Sequence, residues 1–374
     1  MNENIIQIDV GTKPPLDPGF IPAVLWNKTY CNAVKQSGKA QKIIIALERN
    51  NNSVSTYATK IFPHTAPYLQ LNIKYIERLI RSLLWLKGGY KLTIAGCGPL
   101  AEDVRKIYST NGARSFDADI LGRRIYGRGF EVIGCTLTEA PENREVQKQL
   151  GEHMDGCRVE FNLGGSDRKC TAVMDGEVTA LAGSLAMKVN SVLGISMGTS
   201  MAGGYVTAQG SITDWLNEPA FAPVDYRNDA PVDEWSGDRG YGVQYFSQQA
   251  VARLARIAGI ALPEDMAFPE RLLEIQNLTN MGDVRAEKIY ENIGVYLAYS
   301  VAHYVEFYNL ENLLILGRVT SGSGGDLILK IAKKVLEKEF PVIALTIKLR
   351  TPDEQFKRHG QAVIAASLPP IIKR

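Results

Sequence analysis

Residues 157–176 read CRVEFNLGGSDRKCTAVMDG. Val159 and Phe161 alternate into a turn at Gly164-Gly165, SDRKCTAVM resumes as a strand, and Asp175-Gly176 has the composition of a second tight turn. A glycine pair lets backbone N–H groups come close to a phosphate. Ser166 adds a hydroxyl donor and Lys169 a point charge. The same residues also suit an ordinary pair of hairpins, so the choice between the two rests on the rest of the chain.

Two later segments repeat this chemistry. Residues 192–206, VLGISMGTSMAGGYV, alternate as a strand up to Gly198, Thr199 and Ser200 and return through Gly203-Gly204, a hairpin with hydroxyls and bare backbone at its tip. Residues 313–330, LLILGRVTSGSGGDLILK, predict a strand, a glycine-serine turn that includes Gly317, and a helix start at Gly324-Gly325, where a flat ring could lie against backbone. None of the three is a GxGxxG or GxxxxGK[ST] motif, so neither a dinucleotide fold nor a P-loop is indicated. Residues 211–226, SITDWLNEPAFAPVDY, predict a loop. Its Asn217 and Glu218 could accept hydrogen bonds from sugar hydroxyls, with Trp215 as a stacking face; the other reading is a surface loop packing its own aromatics. Helices are predicted over 246–258, 284–307 and 327–338 by three- and four-residue apolar spacing.

The first half has its own pattern. Strands are predicted at 43–47 and 54–62, joined as a hairpin, then an amphipathic helix at 71–86 ended by Gly88-Gly89. A strand at 90–95, a helix opening near Pro99 and a strand at 130–136 complete an α+β module over residues 1–150. The basic run RRIYGRG at 123–129 reads as a solvated loop, and Gly96 and Gly98 as turn chemistry. Residues 138–152 are polar and charge-mixed, a linker or a surface helix.

Composition bounds these readings. The chain has 374 residues, 42 Lys+Arg against 40 Asp+Glu, and 45% hydrophobic residues, which is the balance of a folded protein and not of a disordered chain or a basic nucleic-acid coat. No apolar run is long enough to cross a membrane, and 289–302 reads as a buried core helix. The five cysteines form no CxxC pair and read as reduced thiols, consistent with a cytoplasmic protein. His303 sits between apolar positions and reads as a core histidine.

Taken in combination, CRVEFNLGGSDRK, GISMGTSMAGGY, WLNEPAFAPVDY, LILGRVTSGSGG and HGQAVIAASLP resemble ROK-type sugar kinases and repressors of the sugar kinase, heat-shock ATPase and actin superfamily, in the subgroup with an extra N-terminal module. The resemblance covers most of the chain. It implies an α/β fold of ribonuclease H-like type over 156–374, ATP and Mg2+ as cofactors, and a sugar or sugar-like small molecule as substrate. It also implies that Gly164, Gly165, Ser166, Lys169, Gly198, Thr199, Ser200, Gly203, Gly204, Gly317, Gly324 and Gly325 meet the nucleotide, and that the activity is phosphoryl transfer to a sugar hydroxyl.

Several positions depart from the family pattern. Asn162 stands where the family has the aspartate that helps hold magnesium. The family's Asn-Asp motif, whose aspartate is the general base, is matched only by Met174-Asp175, thirteen positions after Asn162, so the strands and helices normally between them are missing. Asp175 therefore has two readings, a hairpin turn or the base at a helix start. The family's zinc cluster has no counterpart, because no cysteine follows Cys170. No helix-turn-helix precedes the kinase-like part, which argues against a DNA-binding repressor. The expectation is a shortened sugar-kinase fold, inactive or very slow, with a non-catalytic nucleotide- or sugar-binding protein as the alternative. No oligomeric state follows; a homodimer is one option.

Overall fold

The computed structural model describes residues 6–148, 161–163, 168–170 and 175–351. An irregular N-terminal segment leads into helix α1 (Ala23–Gln36), which buries Ala23, Trp26, Tyr30 and Val34 at helical spacing. Strands β1 (Gln41–Glu48) and β2 (Val54–Ile61) form the predicted antiparallel hairpin, with Ile45 opposite Tyr57. Its turn needs a left-handed backbone at Asn51 and Asn52, a conformation asparagine tolerates better than most residues. Helix α2 (Leu69–Lys87) follows, then β3 (Lys91–Ala95), helix α3 (Gly98–Ile107), a short helix α4 (Ser115–Ala118) that runs into a π-helical turn at 119–125, and β4 (Glu131–Cys135). β3 pairs antiparallel with β1 and parallel with β4, so the first sheet has the order β2-β1-β3-β4.

The segment predicted as a linker contains β5 (Gln147–Lys148). Among the described residues, β6 (Phe161–Leu163) and β7 (Arg168–Cys170) pair only with each other. Helix α5 (Asp175–Met187) leads to β8 (Val192–Met197), β9 (Met201–Val206) and β10 (Ile212–Thr213). Helices α6 (Gln248–Ile257), α7 (Phe268–Asn280) and α8 (Val284–Tyr304) precede β11 (Asn312–Leu316). Helices α9 (Gly322–Glu339) and α10 (Pro341–Thr346) and strand β12 (Lys348–Arg350) close the described chain. The second sheet has the order β12-β11-β8-β9-β10-β5, with β11 parallel to both β8 and β12 and the rest antiparallel.

The two halves share one core. A single cluster of buried side chains runs from α1, α2 and the first sheet through β8, α6 and α8 to α9. α8 lies at its centre, buried along 292–304 as its sequence predicted, and it packs closely on α9 where a Cβ at Gly294 would meet the carbonyl of Ile328. No helix among the described residues is long and apolar enough to cross a membrane.

Polar ties reinforce the joint. The N–H groups of Leu216, Asn217 and Glu218 donate to the carbonyls of Lys87, Leu86 and Trp85 at 3.3, 2.9 and 2.9 Å. They satisfy carbonyls that the end of α2 cannot satisfy itself. Arg81 on α2, 1% exposed, pairs with Asp117 at 3.0 Å and with Asp238. Arg114 bridges Asp238 at 3.0 Å and also pairs with Glu77. At the other end of the molecule, Ala23 donates to Val224 and Tyr226 to Ile21, each at 3.0 Å. The expected module 1–150 thus meets residues 216–238 through α2, whose end they cap and whose charges they balance.

Two expectations follow. A purified 1–150 fragment should show no cooperative thermal transition, because it lacks both Asp238 and the 216–218 strap; a sharp transition near that of the full chain would refute the shared-core account. The second concerns His303, which is 1% exposed, with Nε2 3.4 Å from Ser82 Oγ and Nδ1 without a partner. Burial pushes its pKa down to about 3, so the folded protein holds it neutral. An unfolded histidine takes up its proton below about pH 6.5, so this contribution to stability is complete above that pH and is lost as pH falls toward 3, by up to about 1.4 kcal/mol per unit. Denaturant melts of the wild type and His303→Met between pH 7 and about 4 should show that the substitution removes part of this slope.

Candidate functional site at the strand ends

β8 and β11 are parallel neighbours, with Val192 opposite Asn312 and Ser196 opposite Leu316. Their carboxyl ends therefore open on the same edge, where ligands of open α/β sheets collect. β8 ends in the turn Gly198-Thr199-Ser200, and β11 ends in Gly317, a 3-10 turn at Arg318–Thr320 and the start of α9. Gly317 has φ +98°, and a Cβ there would lie 2.5 Å from the carbonyl oxygen of Met197, so the closeness of the two strand ends itself demands glycine.

α5 brings a third group to this edge. It lies on the sheet with Ala180 against Gly194 and Gly183 against Leu314, and then descends to the beginning of β8. Its first residue, Asp175, is thus placed toward the edge where β8 ends. Asp175 begins a helix and does not form the second hairpin turn, which corrects the turn reading of Asp175-Gly176. α6 contributes the N–H of Gln248, which donates to the carbonyl of Gly198 at 2.9 Å, and its N-cap Ser247 accepts from Gln249 at 3.1 Å. The sequence pattern predicted α6 as a helix; that its start supports the Gly198 turn was not legible.

The glycine-rich residues divide by exposure. Thr199, Ser200, Ser321, Gly322 and Ser323 are exposed. Ser321, the N-cap of α9, makes no side-chain cap bond, and its Oγ lies 3.4 Å from the carbonyl of Gly317. The first turn of α9 therefore keeps the partial positive charge that suits an anion. Gly203, Gly204, Gly324 and Gly325 are buried. A Cβ on Gly203 would meet Pro219 at 2.6 Å, one on Gly324 would meet the Tyr290 ring at 2.5 Å, and one on Gly325 would collide with the carbonyl oxygen of Thr320. Packing alone accounts for glycine at Gly203, Gly324 and Gly325.

The predicted sugar contacts lie against the end of α2. Asn217 is 1% exposed and left-handed, its backbone is bonded to Leu86, and its Oδ1 accepts from Tyr308 at 3.2 Å. Its amide is committed to the core. Glu218 is half-buried, with its N–H on Trp85. The Trp215 ring stacks on Tyr205 at 5.5 Å and carries the Lys87 ammonium 3.3 Å from its centroid, while its Nε1 donates to Glu145 at 2.6 Å. Burial pushes the Lys87 pKa down to about 8, against the pull of Glu145.

Of the phosphate-loop residues, Gly164, Gly165 and Ser166 lie outside the described residues, as does the HGQAVIAASLP segment. Asn162 and Lys169 are register partners in the β6–β7 pair. The described residues contain no group of three or more His, Cys, Asp or Glu side chains placed to hold a metal ion. In the basic run, Arg123–Ile125 belong to the π-helical turn and not to a loop; Arg124 pairs with Asp119 at 3.0 Å and Arg128 lies 4.9 Å from the Tyr90 ring centroid.

No protein-family model matches the chain, and no curated protein matches it. Solved structures do. A ROK family transcriptional regulator, described as a homolog of the E. coli MLC protein, is 19% identical over 52% of this chain and 50% of its own length, with a TM-score of 0.41. This chain thus spans about half the length of that regulator. ROK hexokinase from Thermus thermophilus is 16% identical over 87% of this chain and 96% of its own, with a TM-score of 0.40. A ROK family glucokinase from Streptomyces griseus, solved with glucose and AMPPNP, is 13% identical over 87% and 95%, also with a TM-score of 0.40.

The packing role of the first α9 turn is testable. Gly325→Val should destabilise the protein by about 3 kcal/mol or more by overpacking against Thr320. Gly322→Ala, at an exposed position with φ +66° and nothing near its Cβ, should carry only the smaller cost of a left-handed backbone. Equal losses in denaturant melts would contradict the division between buried and exposed glycines.

Proposed function

We propose that the protein binds ATP at the shared edge of β8, β11, α5 and α9 and is kinase-like, with phosphoryl transfer to a sugar hydroxyl absent or very slow. The observation that carries this reading is the meeting of two parallel strand ends, both opening into exposed hydroxyl-bearing turns, beside an uncapped helix N-terminus. Thr199 and Ser200 would donate to phosphate oxygens from one side, and the N–H groups of Gly322 and Ser323 from the other. The bound nucleotide would supply the transferable phosphoryl group, and magnesium would neutralise its charge.

Catalysis asks for more than binding. A base, a hydroxyl and the phosphoryl group must meet in near-contact geometry, and a misplacement of about 1 Å costs roughly a hundredfold. In this reading Asp175, at a helix start as a base would need to be, takes the hydroxyl proton. The sugar-holding role expected of Asn217 has no free amide to serve it, Asn162 lacks the charge expected near magnesium, and the elements that normally separate Asn162 from the base are not in the chain. The resemblance implies a sugar or sugar-like ligand, and the proposed division at 1–150 and 156–374 leaves the N-terminal module as the support of α2's partners.

Calorimetry with Mg-ATP should give weak binding, in the millimolar range, that Thr199→Val with Ser200→Ala reduces severalfold. The absence of heat from a folded sample would end the nucleotide reading. A coupled assay over hexoses and N-acetylhexosamines should stay flat. Turnover abolished by Asp175→Asn would instead establish an active kinase with Asp175 as its base.

A further inference from the structure

A cavity of about 540 Å3 lies between α6, the segment 260–271 and Val232–Glu234. Its size is in the range of small-molecule sites. Arg253 and Arg256 project from one stretch of α6 into its lining, and Ala252, Ile260, Leu262 and Phe268 supply apolar wall. The wall is held in place. Arg271 donates to the carbonyl of Met266 at 2.7 Å and to those of Pro263 and Glu264, so its guanidinium is spent on fixing the loop.

Arg253 is the unusual group. Its side chain is 15% exposed, and the nearest carboxylate oxygen, on Asp17, is 4.0 Å away. Asp17 is already taken: Arg227 pairs with it at 2.8 and 3.0 Å, and Tyr296 donates to it. Arg253 donates one N–H to the carbonyl of Gln244 at 3.0 Å and lies 5.5 Å from the Tyr245 ring centroid, while its Nε has no acceptor. A largely buried guanidinium without a close counter-charge is costly. Arg256, exposed and three residues further along the helix, sets a second guanidinium beside it. Glu234 and Glu264 also line the cavity and keep its charge from being uniformly positive.

We propose that this cavity binds a small organic anion, a phosphate monoester or a carboxylate with an apolar body, with its head on Arg253 and Arg256 and its body against Ile260, Leu262 and Phe268. Guanidinium groups take both heads through paired charge-assisted hydrogen bonds. The cavity's lining includes none of Thr199, Ser200, Gly322 and Ser323, and the proposal stands whether or not nucleotide binds at that edge.

The test is calorimetry on the full chain with phenyl phosphate and benzoate as the two anionic probes, and with inorganic phosphate and benzyl alcohol as the head alone and the body alone. At least one organic anion should bind about tenfold more tightly than either half, and the better of the two identifies the head group. Arg256→Gln should weaken that binding about fivefold with the melting temperature and the Mg-ATP titration unchanged, and Arg253→Gln should weaken it by about tenfold or more. Three results would each overturn the proposal: no binding of either anion at millimolar concentration by folded protein, benzyl alcohol binding as well as the anions, or unchanged affinity in Arg256→Gln. A loss of Mg-ATP binding in Arg256→Gln would overturn the site's independence of nucleotide binding.

Discussion

Arg81 cannot be left alone inside the protein. Its guanidinium lies against the Tyr241 ring, 4.2 Å from the centroid, and burial pulls its pKa down to about 10 even with Asp117 beside it. Such a cation is tolerated only with counter-charges in direct contact. One of these, Asp117, comes from the first half of the chain; the other, Asp238, comes from the second. The loop that delivers Asp238 is braced by Asp233, whose side chain accepts from the N–H and hydroxyl of Ser236 at 2.7 and 2.6 Å. The same loop continues into Tyr241, whose neighbour Gly240 accepts from Val224 and Asp225. The requirement to neutralise one arginine on α2 thus fixes the position of residues 222–241, and with them the strand-like contact to the N-terminal segment at Pro22.

The edge of the second sheet depends on that arrangement. Residues 216–221 cap α2 on one side and press Pro219 against Gly203 of β9 on the other. Gly242, at the far end of the braced loop, would place a Cβ 3.0 Å from the sulfur of Met201, the first residue of β9. The hairpin that carries Thr199 and Ser200 is therefore backed by the loop that α2 holds. Glu77 shows the same economy of charge: burial alone would raise its pKa, but Arg78, Arg114 and Arg81 outweigh that and leave the carboxyl below its ordinary range.

Elements with strong local patterns were legible. The β1–β2 hairpin, α2, the β8–β9 hairpin and α8 follow from alternation or helical spacing over enough residues for the period to be unambiguous. α1 was not foreseen, although Ala23, Trp26, Tyr30 and Val34 carry its spacing, because polar residues intervene and no cap residue precedes it. α7 also escaped notice, having a mixed surface and few buried positions. The joining of the two halves could not be read at all, since Arg81 and Asp238 are far apart in sequence and each looks like a solvated charge. At the candidate site, the turns themselves were legible from glycine and hydroxyl content. Which glycines faced outward was not, because the answer depends on Tyr290, Pro219 and Thr320 packing against them.

That last distinction bears on what a glycine-rich motif means. At Gly203, Gly324 and Gly325 the bare backbone serves neighbouring protein groups, so these positions would stay glycine in a protein that binds nothing. At Thr199, Ser200, Ser321 and Ser323 no such demand exists, because the side chains face solvent. A hydroxyl at an exposed strand-end turn contributes little to folding and is readily replaced, so four of them gathered at one edge are the part of the pattern that packing leaves unexplained. Ser323 Oγ donates to Asn280 at 2.8 Å, which ties the turn to the end of α7, and the other three hydroxyls point the search for a ligand to the space between β8 and α9. The buried glycines bring the strand ends close together, and the exposed hydroxyls give that edge its chemistry.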